Sequence, residues 1–350
     1  MNRTSLILLT GTLLCALILF LLVKLTGMPN EQKNGFTRSW LTSTLSPTRQ
    51  TRVESPLEKI TGATLHHFFF SVPNPQWMVM MDQNLNKQDT ISFPVPVTDQ
   101  LSGARYSFVD SPWIYLHANN IPALFYASFD GGHLKAVKLA TSLFTRSVQI
   151  SPDCMVVRAF DSTNQKQVFQ RIDCRTGQVS GQATVIDQDA HDNGFSTDGL
   201  LQYDSLARRL LFVQCYQNRF FCLDTNLNLQ YKGVTIDTIS TNLVSIQKVQ
   251  IDQEERLMPA SPRAIVNEQA SVSNGVLFIL SGLIADNEEP ATFRRNAAID
   301  CYRISNGRYI GSFHIPFIDG GKIKSFLVKD NRLIALYQNH IGVYQLPAAL

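Results

Sequence analysis

The sequence predicts an all-β chain built from a four-stranded unit repeated about six times. Three observations carry that expectation. Leu210 to Asp237 reads LLFVQCYQNRFFCLDTNLNLQYKGVTID, three short apolar or alternating runs separated by the polar breaks Gln217 to Arg219 and Asp224-Thr225-Asn226. Runs of this length bounded by turn residues form an antiparallel meander. The segment Leu223-Asp224-Thr225-Asn226-Leu227-Asn228 has a counterpart in Met81-Asp82-Gln83-Asn84-Leu85-Asn86. Similar strand-then-turn marks fall near positions 82, 130, 176, 225, 306 and 345, and no long helical pattern interrupts them.

Taken in order, the chain opens with Ser5 to Val23, an uncharged apolar run flanked by Arg3 and Lys24. As a helix rising ~1.5 Å per residue it spans roughly 28 Å, close to the hydrocarbon thickness of a bilayer. The run leads into Leu22-Val23-Lys24-Leu25 without a small-residue cleavage pattern, so residues 1–25 are expected to be an uncleaved transmembrane anchor. Cys15 lies within the apolar core and is expected to be structural. Flanking charges are nearly balanced between the α-amino group and Arg3 on one side and Lys24, Lys33 and Arg38 on the other. The expected orientation, N-terminus inside and the bulk of the chain periplasmic or extracellular, therefore rests on the usual arrangement of a short anchor before a large exported β domain.

Residues 26–59 are polar and rich in Ser, Thr, Asn, Pro and Arg, and are expected to be a flexible linker. From Ile60 to Leu350 the texture becomes strand-like. Expected strands include Leu65 to Val72, Trp77 to Met81, Trp113 to His117, Leu124 to Phe129, Met155 to Phe160 and Val168 to Cys174. Beyond the Leu210 to Asp237 meander come Val276 to Ser281, Ile299 to Ile304, Leu333 to Gln338 and Ile341 to Leu346. Four-stranded repeats of roughly 40–50 residues define a β-propeller. One twisted sheet cannot bury both its faces alone, whereas blades packed around a ring bury them and leave only short edges exposed. Six blades are expected. An insertion at about 238–298, with strands at Val244 to Asp252 and Ala264 to Val272, leaves a seventh blade as the alternative.

The repeat texture from Ile60 to Leu350, together with the N-terminal apolar run, resembles the six-bladed propellers tethered to membranes of bacterial envelopes. Neither the Trp-Asp signature of WD40 blades nor a repeated Trp docking motif is present.

Composition narrows the function classes. A net charge of +3, without basic runs interleaved with aromatics, argues against nucleic acid as a partner. No nucleophile elbow, phosphate-binding glycine loop or dinucleotide fingerprint occurs, and no motif requires a cofactor. The loop Asp187-Gln188-Asp189-Ala190-His191-Asp192-Asn193-Gly194 concentrates potential ligands but lacks the glycine and closing glutamate of a calcium loop. The seven histidines show no metal-binding spacing. His191 and Asp192, with Arg294 and Arg295 after the acidic segment Asp286 to Pro290, are the candidate ligand-binding residues; no catalytic or metal residue is assigned.

Six cysteines do not form a disulfide scaffold, but two pairs are candidates. A two-residue hairpin at Asn218-Arg219 sets Cys215 opposite Cys222, and a hairpin centred on Asn164 sets Cys154 opposite Cys174. The function expected is a membrane-anchored binding or scaffolding module for a protein, peptide or glycan at the cell envelope. The alternative is a propeller enzyme, a metal-assisted hydrolase, lactonase or lyase, with its site at the channel mouth.

Overall fold

Each of the predicted turn marks closes the third strand of a four-stranded antiparallel sheet. The structure is a computed structural model that describes residues 5, 9–18 and 33–350, apart from 55, 87, 97–104, 130–132, 142, 162, 164–165, 187–193, 195, 242–245, 252–253 and 260–264. Two strands come first, β1 (Trp40–Thr44) and β2 (Pro47–Arg52). Blade 1 follows as β3 (Lys59–Ala63), β4 (His67–Ser71), β5 (Trp77–Asp82) and β6 (Gln88–Ser92). Blade 2 is β7 (Arg105–Asp110), β8 (Trp113–Ala118), β9 (Ala123–Ser128) and β10 (Lys135–Lys138). Blade 3 is β11 (Phe144–Ser151), β12 (Cys154–Phe160), β13 (Gln167–Asp173) and β14 (Val179–Ala183). Blade 4 is β15 (Gly199–Asp204), β16 (Arg209–Gln214), β17 (Arg219–Asp224) and β18 (Leu229–Val234).

The insertion does not add a seventh blade. It holds a separate hairpin, β19 (Ile246–Ile251) and β20 (Glu254–Pro259), and then enters blade 5. That blade is β21 (Asn267–Ser273), β22 (Val276–Ser281), β23 (Asn296–Arg303) and β24 (Tyr309–Pro316). Blade 6 supplies β25 (Ser325–Lys329), β26 (Arg332–Leu336) and β27 (His340–Gln345). Its fourth strand comes from the start of the chain: β2 pairs antiparallel with β27, Gln50 opposite Gly342. β1 pairs parallel with β24 and extends blade 5 to five strands. Of the stretch 26–59, residues 33–59 apart from 55 are therefore not a flexible linker, and 26–32 lie outside the described residues. Residues 40–52 close the ring, and the reason they read as a tether is visible in β2, where four of six residues are exposed. An outermost strand needs its backbone more than its side chains, so no apolar alternation marks it.

Ring closure is legible in the core. Among the described residues six apolar clusters each join neighbouring blades: Phe70 and Val79 of blade 1 meet Ile334 and Ile341 of blade 6. Phe69 and Met78 meet Leu116 and Phe125 of blade 2. Blades 2 and 3, 3 and 4, 4 and 5, and 5 and 6 are joined in the same way. The repeated turn also has a common physics. Asn84 and Asn86 N–H donate to Asp82 Oδ1 at 3.0 and 2.9 Å, and Asn226 and Asn228 N–H donate to Asp224 Oδ1 at 2.8 and 2.9 Å. Leu85 and Leu227 both take positive φ, 62° and 69°, and both are buried. The aspartate collects the turn's amides, and burial of the leucine offsets its left-handed backbone.

Residues 9–18 are helical. Among the described residues no helix is long and apolar enough to cross a membrane. The remainder of the expected span, apart from Ser5, lies outside the described residues.

Candidate binding site at the channel mouth

The first strand of each blade faces the axis, and β3, β7, β11, β15, β21 and β25 succeed one another around it. β3 contacts both β7 and β25, β21 contacts β15 and β25, and β11 contacts β15. These strands are too divergent to pair along their length, so side chains bridge them. Tyr106 Oη donates to Thr145 O at 2.7 Å, and Arg146 Nε donates to Gly199 O at 2.6 Å. Val328 N donates to Ser271 Oγ at 2.9 Å, and Ile60 N donates to Ser325 Oγ at 3.3 Å.

Because strands alternate in direction, the start of every first strand shares one end of the ring with the loop between second and third strands. We term this the upper end. It carries a concentration of charge. Lys59 opens β3, Arg105 opens β7 and Arg146 sits in the first turn of side chains of β11, so three successive blades each contribute a cation. Arg105 Nη2 donates to Pro73 O at 2.6 Å and lies 3.2 Å from Glu58 Oε2. Arg146 Nη2 lies 2.8 Å from Asp198 Oδ2, and its Nη1 donates to Thr145 O at 2.8 Å and to Tyr106 Oη at 3.2 Å. Burial works against the Arg146 charge, but Asp198 and Tyr106 more than offset it and hold its pKa above the ordinary value.

Lys59 differs. Its ammonium lies 5.4 Å from the centre of the Tyr106 ring. The residue is exposed to solvent, with Arg146 close enough to act on its charge. Burial, and then the positive charge of Arg146, push its pKa below the usual lysine value. Around the same mouth, burial raises the Glu268 carboxyl on β21, and Lys322 opposes the shift. Lys324 Nζ donates to Leu57 O at 2.8 Å.

Arg294 and Arg295 end the short helix Pro290–Phe293, in the upper loop between β22 and β23, and both are exposed. The acidic segment before them serves a different partner. Asp286 Oδ1 accepts from Asn34 N at 2.8 Å, Asn287 Oδ1 accepts from Arg38 N at 2.9 Å, and Glu288 pairs with the Arg38 guanidinium at 2.8 Å. Local spacing concealed this, because the basic partner lies far upstream instead of a few residues away. His191 and Asp192 lie outside the described residues. Among the described residues no group of three or more His, Cys, Asp or Glu is placed to hold a metal ion.

The two cysteine pairs do not form. Cys154, Cys174, Cys215, Cys222 and Cys301 are free and buried. Asn218 leaves the hairpin to hold the link to blade 5, its Nδ2 donating to Asp237 O at 2.8 Å. The loop is thereby longer than two residues, and the ladder sets Leu211, not Cys215, opposite Cys222. In blade 3 Cys154 faces Asp173, one position short of Cys174. A one-residue offset sends the two side chains to opposite faces of the sheet. Nothing in the sequence marked Lys59, Arg105, Tyr106 or Arg146, because four residues on three strands converge only when the ring closes.

No protein-family model and no curated protein matches this chain. Solved structures do. A member of the DUF4221 family from Bacteroides vulgatus superposes with a TM-score of 0.54 at 14% identity, covering 90% of this chain and 98% of that one. Virginiamycin B lyase from Staphylococcus aureus gives a TM-score of 0.51 at 11% identity, covering 85% of this chain and 98% of the lyase. At such identities the likeness establishes the fold, a six-bladed β-propeller, and leaves the chemistry to the residues.

Proposed function

We propose that this chain is a membrane-anchored propeller acting as a binding module at the cell envelope, and that it takes a protein, peptide or glycan partner at the upper mouth of its channel. The observation that supports this reading is the composition of the mouth. Lys59 and Arg146 meet there at the Tyr106 ring and hydroxyl, joining charge to an aromatic surface, and Arg105, paired with Glu58, opens the neighbouring strand at the same end. Arg294 and Arg295 add two exposed cations on a loop of the same end. The anchor is Ser5 to Val23, and the large domain is assigned to the periplasmic or extracellular side. Asn34 and Gly35 are held by Asp286 in the same upper loop, so the chain following the apolar run reaches the ring on the side of the mouth.

The likeness to virginiamycin B lyase bears on fold alone, and a propeller hydrolase, lactonase or lyase using the same mouth is the competing outcome. Site-specific photo-crosslinking in native membranes separates the two. A photoreactive residue at Lys322, on the mouth, is expected to capture a defined partner, whereas one at Lys329, at the far end of β25, is not. Equal capture at both positions, or turnover of a lactone or glycan by the purified full-length chain, overturns the binding-module reading.

A further inference from the structure

Of the three cations that blades 1 to 3 place at the mouth, two are neutralised. Glu58 lies 3.2 Å from Arg105 and Asp198 lies 2.8 Å from Arg146. Lys59 is not: among the described residues no carboxylate pairs with it, and its ammonium rests over the Tyr106 ring. Burial, and then the Arg146 charge, work against its positive charge. A cation that lacks a carboxylate partner and faces a second cation across one aromatic ring favours the arrival of an opposite charge.

The neighbours are oriented to share such a guest. A guanidinium has five N–H donors. Arg146 spends them on Gly199 O, Thr145 O, Tyr106 Oη and Asp198 Oδ2, which leaves one Nη2 hydrogen. Tyr106 Oη is already donating to Thr145 O, so the ring supplies its face and not its hydroxyl to the site.

We infer that the mouth between β3, β7 and β11 is a receptor for a single oxyanion group, a phosphate or carboxylate, which pairs with Lys59 and takes the remaining donor of Arg146. The inference rests on the mouth being the binding surface. The group can belong to a soluble ligand or to an anionic lipid headgroup, since the N-terminal segment meets the ring at this end.

Competitive acetylation of full-length protein, read by peptide mass spectrometry, tests it. An oxyanion paired with Lys59 raises its pKa, and each unit of rise lowers the reactive free amine about tenfold. In zwitterionic phosphatidylcholine nanodiscs, inorganic phosphate is expected to slow acetylation of Lys59 several-fold relative to Lys329, against chloride at equal ionic strength. Protection that is already present in phosphatidylglycerol-containing discs, without phosphate, assigns the group to the lipid; protection by phosphate alone assigns it to a soluble ligand. Absence of selective slowing under both conditions overturns the receptor. So does a K59Q variant whose melting temperature rises with phosphate as much as that of the unmodified protein. A partner crosslinked at Lys322 while Lys59 stays unprotected removes the receptor and keeps the binding module; the reverse removes the module and keeps the receptor.

Discussion

Arg38 and Glu288 form an ion pair of 2.8 Å with both side chains withdrawn from solvent. The same guanidinium reaches Asp300 through Nε at 2.8 Å and Nη2 at 3.2 Å, and donates to Leu283 O at 3.1 Å. Glu288 also bonds His314 Nε2, whose ring packs tilted against Trp40 of β1 with centroids 4.2 Å apart. One arginine thus clasps the N-terminal segment into the wall of blade 5, just before that segment crosses to close blade 6.

Removing Arg38 leaves two carboxylates buried without their cation. The expected loss for R38M is about 3–5 kcal/mol, measured by urea unfolding. R38K is expected to be destabilised too, because an ammonium cannot reproduce the planar fork that spans Asp300 and Glu288. If both variants stay within about 0.5 kcal/mol of the parent, the clasp does not hold the ring.

Truncation distinguishes a tether from a closing strand. Deleting residues 2–32 is expected to leave the thermal transition of the propeller in place. Deleting 2–52 removes β1 and β2, exposes the edge of β27 and is expected to abolish the cooperative transition or drive aggregation. Calorimetry of the two forms gives the answer, and equal transitions would refute closure by the N-terminal strands.

The propeller thiols are expected to stay reduced and inert even in an oxidising compartment. Burial pushes the Cys174 and Cys215 thiols up to about 12, and Cys154, Cys222 and Cys301 are raised by the same cause. Alkylation without reductant should label these five only after denaturation. A mass corresponding to a Cys154–Cys174 or Cys215–Cys222 linkage would show the registers given above to be wrong.

His117, fully buried between Ser147 Oγ at 2.9 Å and Gln149 Oε1 at 3.1 Å, predicts an acid sensitivity. Burial lowers its pKa from 6.5 to about 4, with the Gln149 bond opposing. Between these values the unfolded chain binds a proton that the folded chain refuses, so stability rises with pH across this window. It is correspondingly lost as pH falls from about 6.5 toward 4, by up to about 3 kcal/mol. H117N should flatten that part of the stability–pH curve, whatever its effect at neutral pH. An unchanged slope would reject the assignment.

The local sequence was enough to determine the repeat. The second and third strands of the six blades follow from short apolar runs and polar turns, which depend only on neighbouring residues; the Asp82 and Asp224 turns are the same hydrogen-bonded object twice. What tertiary structure decided is whatever depends on distant partners. β2 is polar because only its backbone is needed at an outer edge, so its role surfaced when β27 was found beside it. The Cys215–Cys222 register differs because Asn218 bonds Asp237 outside its hairpin, and the Cys154–Cys174 register differs by one residue in its own hairpin, neither of which alternation within the strands encodes. Glu288 lies close in sequence to Arg294 and Arg295, but its partner Arg38 lies 250 positions upstream. Lys59 carries no motif at all. Ring closure sets it over Tyr106 and near Arg146, with no carboxylate paired to it among the described residues, because electrostatics depends on distance in space and not on spacing along the chain.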